Sequence, residues 1–154
     1  MKIIDTSALN FVMKNNIIID DNFFVTPDIL EEIFTLEIAL SKSAPLAYLI
    51  NIFEDETFHK TLYLNNYHFV LNSVGGKSIY TMRGMGDVSL LALAKTLVEN
   101  KSSLPSIELP FAEYKEKHTI YSGDDGLRKR LLKLVGTEIE ILPPESLSPE
   151  TISP

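Results

Sequence analysis

Two rhythms of apolar and polar positions run along this chain. Short runs, "KII" at 2–4, "FFV" at 23–25, "HTIYS" at 118–122 and "EIEIL" at 138–142, read as strands, the first of them buried on both sides. Longer stretches carry helical spacing. In "TPDILEEIFTLEIAL" the residues Ile29, Ile33, Leu36 and Leu40 share one face, Thr26 suits the N-cap and Pro27 the first helical position. "GDVSLLALAKTLVEN" places Leu90, Leu91, Ala94, Leu97 and Val98 on one side. Residues 6–14, 45–53 and 126–135 also predict helices, while the alternation in 67–82, around Gly75 and Gly76, predicts a hairpin. The stretch 101–117, broken by Pro105 and Pro110, is a long connection. Residues 143–154 hold four of the eight prolines and read as an extended or flexible tail. Strands alternating with helices over residues 1–142 predict one α/β domain with a mostly parallel sheet covered on both faces.

In such sheets ligands bind beyond the carboxyl ends of the strands, which makes acids at strand ends worth following. Asp5 directly follows the first strand, and Asp124, in "YSGDDGLRKRL", follows the 118–122 strand. Asp87 opens the helix of "GDVSLLALA". Glu32 lies roughly 60° around its helix from Ile29, on the border of the apolar stripe, whereas Glu31 points to nearly the opposite side. Glu37 also borders the stripe but lies further from the strand end. Each acid has a plainer use: Asp5 and Asp87 as helix caps, Asp124 and Asp125 in a glycine-flanked turn, Glu32 as a surface residue. Taken as a set, four converging carboxylates repel unless a cation lies between them. An all-oxygen set without histidine or cysteine favours Mg²⁺ or Mn²⁺, and such a site activates water for attack on a phosphodiester. Thr6 and Ser7 supply supporting hydroxyls, for capping or for orienting an acid or a water.

Composition narrows the partners. There is no cysteine, so disulfides, thiolate metal sites and a cysteine nucleophile are excluded. His59, His68 and His118 lie far apart, with no metal-ligand spacing. No apolar run approaches the ~20 residues of a membrane span, no secretory pattern opens the chain, and a cytoplasmic location is expected. The net charge of −7 opposes nucleic-acid binding unless positive charge is local. It is local around Asp124, where Arg128, Lys129, Arg130 and Lys133 follow, with Lys77 and Arg83 as further candidates.

Together "IIDTSAL", "VTPDILEEI", "GDVSLLALA" and "YSGDDGLRKRL" resemble a PIN domain. The resemblance implies a three-layer α/β/α sandwich and a Mg²⁺- or Mn²⁺-dependent endoribonuclease. Asp5, Glu32, Asp87 and Asp124 would be the catalytic, metal-binding acids, Asp125 an assisting ligand, and Thr6 or Ser7 the neighbouring hydroxyl. Arg128, Lys129 and Arg83 are the RNA-binding candidates. Implied partners are an RNA substrate, a small antitoxin protein if the chain is the toxin of a toxin–antitoxin pair, and a second copy in a homodimer. The stretches 54–86 and 101–117 depart from the family pattern. Two other readings stand beside this one: a non-catalytic PIN-like RNA-binding or assembly module, and a phosphoaspartyl domain. The last wants an aspartate two residues after Asp5, where this chain has Ser7.

Overall fold

Ile3 and Ile4 are wholly buried in β1 (Lys2–Ile4), and the apolar run ends where Asp5 turns the chain into α1 (Thr6–Lys14). The Asp5 carboxylate caps that helix, accepting the Ala8 N–H at 2.7 Å, and Ala8, Leu9 and Val12 bury its inner face. The computed structural model describes residues 1–35, 48–74, 84–103 and 117–147. β2 (Phe23–Val25) leads into α2 (Pro27–Thr35). Thr26 is the cap of α2 as expected: its carbonyl accepts from Leu30 at 3.0 Å and its hydroxyl from Ile29 at 3.3 Å. Ile29 and Ile33 are buried, while Leu36, Glu37 and Leu40 lie outside the described residues.

Two expected elements are corrected. The helix expected at 45–53 is instead, over its described part, β3 (Leu49–Asn51) followed by a 3₁₀ turn, Ile52–Glu54. The ladder from Phe23 to Leu49 and from Val25 to Asn51 outweighs local helix preference, and the Asn51 side chain then caps the turn by accepting the Phe53 N–H at 3.0 Å. The hairpin expected from 67 is, up to residue 74, part of α3 (Lys60–Val74); Gly75, Gly76 and the rest of that hairpin lie outside the described residues. Tyr63, Asn66 and Val70 form the buried row of α3. Asn66 donates to the Thr96 hydroxyl at 3.1 Å, so a polar residue occupies a core-facing position and hides the helical stripe.

Thr96 belongs to α4 (Met85–Ser103), which packs against α2, α3 and α5. β4 (Thr119–Tyr121), α5 (Asp125–Val135) and β5 (Glu140–Leu142) follow. Leu127, Leu131 and Val135 anchor α5, and Gly136, at φ +57°, ends it in a conformation that suits glycine. Inside the stretch read as a tail, Pro144–Leu147 forms a 3₁₀ turn with Pro144 buried and Leu147 against the core.

All strand pairs are parallel, in the order β3-β2-β1-β4-β5, and helices flank the sheet as a three-layer α/β/α sandwich. Strand order moves outward from β1 in one direction to β3 and from β4 in the other to β5. The direction of winding therefore reverses between β1 and β4, and a crevice opens beyond their carboxyl ends. Ile4 pairs with Tyr121, and the Asp5 N–H donates to the Tyr121 carbonyl at 3.2 Å. Asp5 and Ser122 thus leave the sheet side by side. No helix among the described residues is long and apolar enough to cross a membrane.

Candidate functional site

A cavity of about 190 Å³ opens in this crevice, lined by Asp5, Thr6, Ser7, Ile29, Glu32, Gly86, Asp87, Leu90 and Asp124. Three routes bring the four acids there. Asp5 and Asp124 follow the adjacent strands β1 and β4. Glu32 lies on the second turn of α2, half-buried beside Ile29 and Ile33, and its neighbour Glu31 is exposed, as the helical geometry predicts. Asp87 is in the first turn of α4 but is not its cap: the helix begins at Met85, so Asp87 is its third residue.

The approach of α2 to α4 is set by small groups. Buried Thr26 and Ser89 share a hydroxyl hydrogen bond of 2.6 Å, and the Ser89 hydroxyl also lies 2.6 Å from the Gly86 carbonyl. At Gly86 a Cβ would stand 2.8 Å from Glu32 Oε2, so the bare backbone leaves the room in which that carboxylate sits.

Asp5 is held most firmly. Its Oδ1 accepts from the Ala8 N–H and the Ser7 hydroxyl, both at 2.7 Å, and its Oδ2 accepts from the Ser122 hydroxyl at 2.5 Å. Each serine is itself held by the loop after β4: the Gly123 N–H donates to Ser7 Oγ at 2.8 Å, and the Asp124 N–H to Ser122 Oγ at 3.1 Å. Since each oxygen already receives a backbone hydrogen, each hydroxyl hydrogen is directed at Asp5. Ser122 is a site residue that sequence reasoning missed. Its only signal is a hydroxyl placed directly after a strand of the switch point.

The charges feel one another. Burial raises the Asp5 pKa, donors from Ser122, Ala8 and Ser7 oppose it, and the charge of Asp124 adds to it. Burial likewise raises Glu32, eased by Thr6 and reinforced by Asp5. The Thr6 hydroxyl leans toward Glu32, yet it is buried and completes no well-formed hydrogen bond among the described residues. Asp87 is raised to about 6, by burial first and then by Asp124 and Asp5, with Arg130 lowering it and Glu32 raising it slightly. Asp124 also caps α5, accepting the Leu127 N–H at 3.0 Å.

Other expected residues are placed elsewhere. Asp125 is fully exposed and absent from the cavity wall; it pairs with Arg128 at 3.2 Å and Lys129 at 2.9 Å, and Lys129 above all holds its pKa down. The Arg128 guanidinium also donates to the Ser122 carbonyl at 2.7 Å, so it braces the loop. Arg83 and Lys77 lie outside the described residues.

A hard divalent cation suits the donor chemistry of the cavity: four carboxylates, an orphaned hydroxyl, and no nitrogen or sulfur ligand. The spacing is looser than a closed coordination shell. Among the described residues, no group of three or more histidine, aspartate or glutamate side chains is set to hold a metal ion. Comparison with protein-family models, curated proteins and solved structures finds no match for this chain. Function must therefore be argued from the cavity.

Proposed function

We propose that this chain is a divalent-metal-dependent endoribonuclease of the PIN type, with Asp5, Glu32, Asp87 and Asp124 as its metal-binding acids. One observation carries the reading: these four acids, contributed by two adjacent strand ends and two helices, line a single cavity at the switch point of a parallel sheet. Burial first, and the charges of neighbouring acids after it, raise three of them, and a bound cation would offset both costs. Mg²⁺ or Mn²⁺ held there would supply Lewis acidity toward a phosphodiester and a hydroxide nucleophile near neutral pH.

The chain's own residues do the positioning. Asp5 is oriented by three donors and is the fixed corner of the site. Glu32 and Asp87 approach it from α2 and α4, separated by no side chain at Gly86. Asp124 stands at the exposed mouth, where its carboxylate is free to choose between capping α5 and a ligand. The apolar walls Ile29 and Leu90 exclude water from one side.

A second reading, a non-catalytic RNA-binding or assembly module of the same fold, is favoured by the open spacing of the carboxylates. Cleavage of RNA with Mn²⁺, Mg²⁺ or EDTA separates the two. The nuclease reading expects cleavage that EDTA and Asp87→Asn both abolish; cleavage that survives EDTA, Asp5→Asn and Asp87→Asn rejects the mechanism.

A further inference from the structure

We infer that the groove lined by Phe69, Val70, Leu91, Arg130, Lys133 and Leu134 is a subsite for single-stranded RNA, in which Phe69 stacks a base and Arg130 and Lys133 take the flanking phosphates. The inference rests on the nuclease reading for its direction but on a different part of the surface for its argument. The groove is large enough for a nucleotide, about 520 Å³, and runs between α3, α4 and α5.

Its position ties it to the acid cavity. Asp87 and Leu91 are four residues apart on α4 and so lie on one face, separated by about 6 Å along the axis. Asp87 lines the cavity and Leu91 the groove. Arg130 lines the groove together with Leu91, on the α5 side. A strand whose scissile phosphate lay among the acids would have its neighbouring nucleotide over Leu91.

The chemistry of the lining matches that occupant. Phe69 is 58 % exposed, with the Lys95 ammonium 5.0 Å from its ring centre. The Lys95 ammonium lies over one face of the ring; the other face is the stacking platform, which accepts any base because every base has a π face. Of the cations on α5, Arg128 and Lys129 are spent on Asp125, whereas Arg130 and Lys133 make no ion pair among the described residues. An acidic chain that places two cations, without an ion pair among the described residues, on the rim of one apolar groove has local complementarity for a polyanion that carries flat apolar faces.

The test is fluorescence anisotropy of a labelled single-stranded oligoribonucleotide of about ten nucleotides with the full chain, against the same sequence as a duplex. Phe69→Ala should weaken binding at least about fivefold, and Phe69→Tyr should restore it. Arg130→Ala should weaken binding and flatten its salt dependence by a slope of roughly 0.7, the loss of one phosphate contact on a single strand. Leu64→Ala, an equally exposed apolar residue of α3 outside the groove, should leave binding unchanged. Unchanged binding in Phe69→Ala and Arg130→Ala, preference for the duplex, or no RNA binding at all would overturn the subsite. Cleavage assays on the same proteins keep the two ideas apart. A chain that cuts RNA with groove variants that bind normally loses only the subsite. A chain that binds through Phe69 and never cuts loses only the nuclease.

Discussion

Replacing Asp87 by asparagine removes one charge from a group of four and leaves shape almost unchanged, which makes its effect calculable. Folding moves the carboxyl from 3.8 to about 6. A difference of about two pKa units, at 1.36 kcal/mol each, corresponds to about 3 kcal/mol. Asp87 is half-buried, so solvent screening reduces this to roughly 1–2 kcal/mol. The sign follows from linkage. A raised folded-state pKa means that the native protein holds the extra proton between pH 4 and 6, so stability falls as pH rises through that window, and above it the whole penalty is present. Against this, the substitution loses the attraction of a first-turn acid for the helix N-terminus, about 0.3–1 kcal/mol. Asp87→Asn should therefore stabilise the metal-free protein at pH 7 by about 1 kcal/mol, raising Tm by about 2–4 °C. It should also flatten the decline of stability between pH 4 and 7, while Mn²⁺ raises the Tm of the parent protein more than that of the variant. Thermal melts by circular dichroism at pH 4, 5.5 and 7, with EDTA or Mn²⁺, give all three readings. Destabilisation at pH 7 together with an unchanged pH slope would show that the four acids do not share a field.

Other substitutions probe separate links. Gly86→Ala sets a methyl 2.8 Å from Glu32 Oε2, so the carboxylate must swing away; metal-dependent cleavage should drop at least about tenfold while Tm holds or rises, because alanine favours a helix over glycine by up to about 1 kcal/mol. Ser122→Ala strips Asp5 of a buried donor and the Asp124 N–H of its acceptor, and urea unfolding should show a loss of about 1–3 kcal/mol. Leu131→Ala, in the wholly buried anchor of α5, should cost about 2–5 kcal/mol in the same assay, with cleavage per folded molecule unchanged.

How much of this was legible in the sequence depends on where the deciding interaction lies. β1, β2, α1, the start of α2 and α5 carry their own signals, since Asp5, Thr26 and Asp124 cap the helices that directly follow them. Glu32 was separable from Glu31 because a helix maps sequence position onto direction. The misses were decided elsewhere in the chain. β3 is a three-residue edge strand, half-buried throughout, and only its ladder with β2 distinguishes it from a helical turn. α3 carries Asn66 in its buried row, a position that makes sense only opposite Thr96, thirty residues away. Ser122 acquires its role from Asp5 across 117 positions, a pairing that strand order creates and local pattern does not announce. Arg128 and Arg130 look equivalent in sequence. Their separation into a brace and a rim cation is a matter of helix phase and of Asp125.

The serine pair also bears on how the acids should be interrogated. Backbone amides dictate which way both hydroxyl hydrogens face, so the first acid is wired as a receiver on both oxygens. An amide there would turn a donor against a donor: Asp5→Asn must rotate one serine and strand its hydroxyl hydrogen, disturbing architecture as well as charge. Asp87 has no such wiring among the described residues, so isosteric neutralisation asks a purely electrostatic question only at that helix.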